Sequence, residues 1–202
     1  MKNAAANLTK KTPHNWGKKL NKAEKILRKI EKKASNEFLP IVSAEKGRVL
    51  AEEVRRAKPK LVLEVGTLIG YSAILMGNEL DETAHIITIE IHAEEAKTAE
   101  ENIRKAEIPP KVEVITGDAI EIISQLKGAF DFVFIDAKKT EYMDYLQLVE
   151  DKLCKGAVIV ADNAGIFAKQ MTNYLEYVRR SGKYSSKYVP VDNDGLEITV
   201  KL

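Results

Sequence analysis

Two segments far apart in the chain place oxygen-bearing side chains shortly after an apolar run. Asp136 follows the run at residues 132 to 135, and Asp162 and Asn163 follow the run at 157 to 160. Such runs are typical of parallel strands covered on both faces, and open α/β sheets bind ligands at the carboxyl ends of these strands. We therefore expect the three side chains to lie close together.

Two carboxylates and one amide oxygen form a set of hard oxygen ligands. Such a set suits Mg²⁺, Mn²⁺ or Ca²⁺ better than Zn²⁺, and three protein ligands leave coordination positions for a substrate. Taken singly, each segment has a simpler explanation, because Asp and Asn are common at helix caps and turns. The two segments together favour a divalent-metal site formed by Asp136, Asp162 and Asn163.

A glycine turn, LEVGTLIGYS, occupies residues 63 to 72. A dinucleotide site needs a second glycine two residues after the first, and Leu68 stands at that position instead. Glu90 ends the next predicted strand, where its carboxylate is placed to accept hydrogen bonds from ribose hydroxyls. The pattern favours a nucleoside without phosphates over NAD, although Gly66 as a plain turn and Glu90 as a solvent-facing strand end stay open.

Strands and helices alternate from residue 43 onward. Apolar runs predict strands at 61–65, 85–90, 112–116, 131–136 and 157–162, and helical patterns occupy 43–57, 69–80, 92–106, 119–127, 140–152 and 167–180. This alternation predicts an α/β fold with a mostly parallel, doubly wound sheet and helices on both faces. Residues 185–190 and 196–202 predict a C-terminal antiparallel hairpin.

The N-terminal segment is strongly basic. Residues 2 to 33 contain eleven Lys and Arg against two Glu, in a chain whose net charge is only +2. Apolar residues recur there at helical spacing, which predicts an amphipathic helix with a basic outer face: Leu20, Ala23, Ile26, Leu27 and Ile30. We predict a basic helical arm over residues 1–37 before a single domain at 38–202. The basic face is either solvated or packed on a neighbouring surface, and nucleic-acid binding is the alternative.

The composition is that of a globular protein of 202 residues with 45% hydrophobic side chains, enough for one well-buried domain. We expect a cytoplasmic protein without a membrane partner, because no apolar run is long enough to cross a bilayer and the N-terminus lacks the apolar core of a signal peptide. The single cysteine, Cys154, excludes an internal disulfide, and three His with one Cys exclude a Cys/His zinc cluster.

Several separated motifs resemble the cation-dependent, catechol O-methyltransferase-like family of class I, S-adenosylmethionine-dependent O-methyltransferases. They are PIVSAEKGRVL (40–50), LVLEVGTLIGYSAILM (61–76), IITIEIH (86–92), VITGDA (114–119), FDFVFIDAKK (130–139), KGAVIVADN (155–163) and DGLEITVKL (194–202). The resemblance runs in order from about Phe38 to the C-terminus. It implies a Rossmann-like methyltransferase domain that transfers a methyl group from S-adenosylmethionine to a hydroxyl held by a divalent cation, in a catechol-like or other vicinal-oxygen small molecule.

The resemblance also implies roles for particular residues. Those expected around S-adenosylmethionine are Val42, Glu64, Gly66 and Ser72 at the methionine part, Glu90 at the ribose, Ile91 and Ala119 at the adenine, and Asp136. The implied metal ligands are Asp136, Asp162 and Asn163, and the implied catalytic residues are Lys139 and Asp136. A hydroxyl on a divalent cation ionises more easily, and a lysine beside it can accept the proton. Without the resemblance, the favoured interpretation of Lys138 and Lys139 is two surface lysines that open a helix.

One departure concerns the acceptor. Tyr188 stands where catechol-methylating members carry an acid that grips the second substrate hydroxyl, which weighs against catechol itself. Two alternatives remain open: methylation of a hydroxylated tRNA uridine, a role of related bacterial proteins, and a non-catalytic S-adenosylmethionine-binding protein. The predicted metal ligands and Lys139 speak against the second, because a binding module has no use for them. A homodimer is typical of the family.

Overall fold

Strands and helices alternate along residues 20–202, the part of the chain that the structure, a computed structural model, describes. The helices are α1 (Lys22–Ala34), α2 (Ala44–Ala57), α3 (Tyr71–Gly77), α4 (Ala93–Ala106), α5 (Ala119–Gln125), α6 (Tyr142–Glu150) and α7 (Thr172–Arg180), with a 3-10 turn at Lys139–Glu141. The strands are β1 (Leu61–Val65), β2 (His85–Glu90), β3 (Lys111–Thr116), β4 (Phe130–Ile135), β5 (Leu153–Ala161), β6 (Tyr184–Val191) and β7 (Asp194–Lys201).

The strands form one sheet in the order β3-β2-β1-β4-β5-β7-β6. β1 pairs in parallel with β2 on one side and with β4 on the other. β7 runs antiparallel to both β5 and β6, so the C-terminal hairpin closes one edge of the sheet. The predicted fold class, a mostly parallel sheet with a C-terminal antiparallel hairpin, is confirmed. The strand order reverses between β1 and β4, and ligands bind at this position in open α/β folds.

Alternate side chains of each central strand face opposite layers of helices, as the pleat of a β-strand requires. On one face, Val62 and Phe132 pack with residues of α1, α2 and α3. On the other face, Leu63 and Val133 pack with residues of α6 and α7. Because both faces are covered, β1 and β4 need apolar residues at nearly every position, which explains their continuous apolar runs.

Helix α1 corresponds to the described part of the predicted basic arm. It begins after Asn21, whose side chain accepts a hydrogen bond from the Glu24 N–H while the Glu24 carboxylate accepts one from the Asn21 N–H. This reciprocal capping box satisfies two donors at the helix start. Ala23, Leu27 and Ile30 are buried, as the helical spacing predicts. The predicted arm before residue 20 lies outside the described residues, and the division at residue 37 stays a prediction.

Two predicted boundaries were wrong. The helix predicted from residue 167 begins only at Thr172, because a series of turns intervenes, and Asn163 in these turns has a left-handed backbone with φ of 61°. β5 begins at Leu153, four residues before the predicted start, and a register irregularity lies in its pairing with β4. No helix among residues 20–202 combines the length and apolar character needed to cross a membrane.

Candidate active site

A cleft of about 480 Å³ opens at the carboxyl ends of β1 to β4, where the strand order reverses. Six predicted site residues line it: Gly66, Glu90, Ile91, Ala119, Asp136 and Lys139. Five others do not line it. Val42, Glu64 and Ser72 are buried, and Asp162 and Asn163 follow the end of the neighbouring strand β5.

The glycine turn after β1 fits tightly against the end of β4. Gly66 has φ of +96°, and a Cβ built on it would lie 2.2 Å from the backbone oxygen of Asp136. The Asp136 N–H donates to the Val65 carbonyl at 2.9 Å, which ties the two strand ends together. Only glycine combines this backbone conformation with such a close approach. The turn therefore brings the predicted cofactor loop and the predicted acid into direct contact.

Glu90 anchors the same turn. One carboxylate oxygen accepts the Leu68 N–H at 2.7 Å, and the other accepts the His92 N–H at 3.0 Å. Leu68 has a left-handed backbone with φ of 50°, which is unfavourable for a side chain with a Cβ. Each carboxylate oxygen can accept a second hydrogen bond. Glu90 can therefore hold the turn and still receive ligand hydroxyls from the cleft.

Glu64 is completely buried in β1, beside the glycine turn. Its Oε2 accepts a hydrogen bond from the Thr88 hydroxyl at 2.5 Å, whereas its Oε1 has no partner among the described residues. Burial raises the pKa of Glu64 to about 7, although the hydroxyls of Ser72 and Thr88 oppose the shift. A buried carboxylate oxygen without a partner is costly, so this position suits a ligand with a cationic donor.

The two lysines after Asp136 have different environments. Lys139 Nζ donates to Asp136 Oδ1 at 2.8 Å, and its side chain is only 15% exposed. The same nitrogen lies 5.4 Å from the ring centroid of Tyr142. Lys138 is exposed and pairs with Glu141. The structure thus brings Lys139, and not Lys138, to the predicted acid.

Asp162 lies beside Asp136 because β4 and β5 pair in parallel, and the Asp162 N–H donates to the Ile135 carbonyl at 2.9 Å. Burial raises the pKa of Asp162 to about 6, the negative charge of Asp136 adds to the shift, and Lys46 opposes it. Two carboxylates that repel each other in a buried setting are stabilised by a shared cation.

The three predicted metal ligands have the right chemistry for a hard cation. Asp136 Oδ2 and Asp162 Oδ2 accept no hydrogen bond from the described residues, since the donors go to the two Oδ1 atoms. The Asn163 amide nitrogen donates to Asp194, which leaves the amide oxygen for another partner. Residues 20–202 contain no group of three or more His, Cys, Asp or Glu side chains suited to a metal. Metal binding by the two carboxylates and one amide therefore stays a prediction.

Sequence reasoning missed two buried residues behind this set. Lys46 Nζ donates to Asp162 Oδ1 and to Asp194 Oδ2, both at 2.6 Å. Burial alone would lower the pKa of Lys46, but its hydrogen bonds to the two acids outweigh burial and raise it. Burial alone would raise the pKa of Asp194. The hydrogen bonds from Lys46, the Ile166 N–H and Asn163 outweigh burial and lower this pKa to about 2. One lysine and two acids thus share a buried, hydrogen-bonded network behind the predicted metal ligands.

One signal for Lys46 was present in the sequence. Lys46 stands four residues before Leu50 and eight before Val54, in line with the apolar face of α2. A lysine on a buried helix face needs a charged partner, so this position predicts a buried acid nearby. The sequence does not say which acid.

Comparison with known proteins identifies the family of the chain. A family model described as O-methyltransferase matches residues 18–179. The chain belongs to this O-methyltransferase family. The resemblance stated from the motifs is thereby confirmed.

Named relatives of the family share moderate identity with the chain. A catechol O-methyltransferase of Niastella koreensis is 39% identical over 126 residues, which cover 60% of this chain and 57% of that protein. A catechol O-methyltransferase of Sus scrofa is 32% identical over 172 residues, which cover 79% of this chain and 91% of that protein. The aligned region thus spans little more than half of the bacterial relative and most of the pig relative.

The fold matches solved members of the family. The structure of an O-methyltransferase from Bacillus cereus in complex with SAH superposes with a TM-score of 0.80 at 26% identity, over 93% of this chain and 94% of that chain. The fold described above is therefore that of an O-methyltransferase.

Proposed function

We propose that the protein is an S-adenosylmethionine- and divalent-metal-dependent O-methyltransferase that acts on a small molecule carrying a hydroxyl next to a second oxygen. The observation that carries this proposal is the hydrogen bond between Lys139 and Asp136 in the wall of a cleft that also contains Gly66 and Glu90. A proton acceptor and a carboxylate thus stand next to a nucleoside-type turn, as methyl transfer to a hydroxyl requires.

The cleft suits S-adenosylmethionine part by part. Glu64 does not line the cleft itself but lies buried beside the glycine turn, and its Oε1, which has no partner among the described residues, offers an acceptor for the amino group of the methionine part. Glu90 faces the cleft with spare acceptor capacity for ribose hydroxyls, and Ile91 and Ala119 line it with apolar surface for the adenine. A volume of about 480 Å³ lies in the range of small-molecule sites. The SAH-bound relative from Bacillus cereus supports the same cofactor.

Asp136, Asp162 and Asn163 would hold the cation, which when bound makes the acceptor hydroxyl easier to ionise. Lys139 Nζ, in its neutral amine form, is the group that accepts the proton of that hydroxyl. Asp136 orients Lys139 through their hydrogen bond, and a cation held by Asp136 would disfavour the ammonium form of Lys139. Most of the remaining rate enhancement would come from holding the acceptor oxygen in line with the sulfonium methyl group.

The position of Tyr188 bears on the acceptor. Its hydroxyl donates a hydrogen bond to the Asp194 backbone carbonyl at 2.8 Å, so the phenol already has a backbone partner beside the Asn163 turn. The chain has no acid at this position to bind a second substrate hydroxyl. We infer an acceptor whose second oxygen is held mainly by the cation, a class that includes but is broader than catechols.

The direct test is methyl transfer from labelled S-adenosylmethionine, first into catechol and then into a cell extract separated into small-molecule and RNA fractions. We expect label in the small-molecule fraction, loss of transfer with EDTA and recovery with Mg²⁺ or Mn²⁺. Full activity in chelator would contradict the metal requirement. Binding of S-adenosylmethionine without any transfer would favour the non-catalytic alternative, and binding of NAD in its place would contradict the whole proposal.

A further inference from the structure

Asp194 lies at the centre of a buried network behind the Asp162–Asn163 turn. Its Oδ1 accepts the N–H groups of Gly165 and Ile166 at 3.0 and 2.9 Å. Its Oδ2 accepts the Asn163 amide nitrogen at 2.8 Å and Lys46 Nζ at 2.6 Å. One carboxylate thus receives four donors, three of them from the turn that follows β5.

These contacts dictate which way the Asn163 amide points. All four hydrogen bonds to the Asp194 carboxylate come from N–H donors, and the nitrogen end of the Asn163 amide faces it, with Nδ2 2.8 Å from Oδ2. The amide oxygen is therefore turned away from Asp194. Lys46 supports this arrangement, because its ammonium bridges Asp194 to Asp162 and balances their charges.

We propose that Asp194 is a positioning residue that fixes the amide oxygen of Asn163 in the orientation needed to bind a divalent cation. This inference rests on the proposed function, in which Asn163 is a metal ligand. Groups that hold metal ligands in place commonly change metal affinity by about 10- to 100-fold when they are removed.

The substitution Asp194→Asn tests this role, because it keeps the size of the side chain while one carboxylate oxygen becomes an NH₂ donor and the negative charge beside Lys46 is removed. If the new nitrogen takes the place of Oδ2, it faces the donors of Asn163 and Lys46. If it takes the place of Oδ1, it faces the N–H groups of Gly165 and Ile166. In the first arrangement, Asn163 regains a hydrogen bond only by turning its amide over, which removes its oxygen from the cation position.

The measurement is Mn²⁺ binding to the full-length protein by electron paramagnetic resonance, with S-adenosylmethionine binding by calorimetry as the folding check. For Asp194→Asn we expect Mn²⁺ affinity to fall by about 10- to 100-fold, with S-adenosylmethionine affinity close to that of the wild type. Asp131→Asn is the matched control. The Asp131 carboxylate also accepts two consecutive N–H groups, from Lys60 and Leu61, but it lies at the opposite end of β4.

A swapped pair tests the direction of the hydrogen bond. In the double variant Asn163→Asp with Asp194→Asn, the new amide at 194 can donate to the new carboxylate at 163, which still has a second oxygen for the cation. We expect this variant to bind Mn²⁺ more tightly than Asp194→Asn alone. If Asp194→Asn alone does not fold, the double variant replaces it in the test. A folded double variant that fails to bind Mn²⁺ would then overturn the inference.

The outcomes separate this inference from the function on which it rests. Equal Mn²⁺ affinity in the wild type and Asp194→Asn refutes the positioning role and leaves the proposed function intact. Absence of Mn²⁺ binding in the wild type refutes the metal site and the positioning role together. An equal loss of affinity in Asp131→Asn would show a general effect on the sheet and would also overturn the inference.

Discussion

Gly66 and Asp136 meet so closely that no side chain fits between them. A Cβ on Gly66 would lie 2.2 Å from the Asp136 backbone oxygen and 2.9 Å from its carbonyl carbon. The end of β1 and the end of β4 therefore behave as one unit at the base of the cleft. Any change that separates them alters the predicted cofactor turn and the predicted acid at the same time.

Gly66→Ala should damage both stability and cofactor binding. A left-handed backbone costs an L-residue about 1–2 kcal/mol, and at Gly66 the clash with Asp136 adds to that cost. Gly156→Ala is the matched control, since Gly156 also has a positive φ, of +80°, but no atom of residues 20–202 beyond its chain neighbours lies within 4 Å of a Cβ there. Thermal unfolding and calorimetry with S-adenosylmethionine should show a clearly larger loss for Gly66→Ala. Similar losses of stability and cofactor affinity in both variants would mean that the contact between Gly66 and Asp136 does not contribute to either.

Lys139→Ala should lower turnover by about 10²-fold or more, which is the usual contribution of a general base to the rate, while cofactor binding is retained. Lys138→Ala is the control, because Lys138 is exposed and pairs with Glu141 instead of the acid in the cleft. Steady-state kinetics with labelled cofactor compares the two. A damaging Lys138→Ala together with a silent Lys139→Ala would contradict the assignment of the base.

Asp162→Asn should abolish the response of activity to Mg²⁺ or Mn²⁺, because one of two ligand carboxylates is replaced by a neutral amide. Asn is preferred to Ala, since its amide oxygen can still accept the hydrogen bond that buried Lys46 donates to this position. Activity is measured across a metal titration after treatment with EDTA, and S-adenosylmethionine binding serves as the check on folding. An unchanged metal requirement would show that Asp162 serves only the turn.

Cofactor affinity should rise with pH between about 6 and 8. The pKa of Glu64 is raised to about 7, so below that pH its carboxyl is mostly protonated and cannot pair with a cationic amino group. We expect affinity to fall by up to about tenfold for each pH unit below 7, and Glu64→Gln should bind weakly without this pH dependence. A flat profile in the wild type would contradict the role of Glu64.

The same group affects stability in the opposite direction. The folded-state pKa of Glu64 lies above its ordinary value of 4.5, so the unfolded state loses the proton first as pH rises. Without cofactor, the free energy of unfolding should therefore decrease by roughly 3 kcal/mol between pH 4.5 and 7 from this group. Denaturant unfolding of the wild type and Glu64→Gln across that range isolates the contribution.

Charge reversal on α1 separates the two classes of acceptor. Lys25, Lys29 and Lys32 are exposed and form no ion pair with described residues, whereas Lys22 pairs with Glu107. Changing these three lysines to Glu should leave methylation of a small catechol nearly unchanged, because exposed substitutions have small effects. Transfer to tRNA, in contrast, would depend on phosphate contacts and fall steeply between about 50 and 200 mM salt. A variant that loses tRNA methylation but retains catechol methylation would establish RNA as the acceptor.

The sequence by itself determined which segments form strands and helices, and which strands are followed by polar residues. The continuous apolar runs predict buried parallel strands, and helical spacing predicts α1 and α2, because both patterns depend on residues only a few positions apart. Gly66 and the acids after β4 and β5 could be placed at one edge of the sheet, since parallel strands align their carboxyl ends. The metal set was predicted in this way, whereas Lys139 as the base was implied by the family resemblance, and both await their tests.

Only the tertiary structure decided what surrounds these groups. Asp194 lies 148 residues from Lys46 and 31 from Asn163, and no local pattern relates them. The first turn after Asn163 has the same origin, because the N–H groups of Gly165 and Ile166 bond to Asp194 in β7. The unpaired oxygen of Glu64 likewise depends on which strands and helices enclose it. Burial and hydrogen bonding are set by segments that meet in space, so periodicity along the chain cannot contain them.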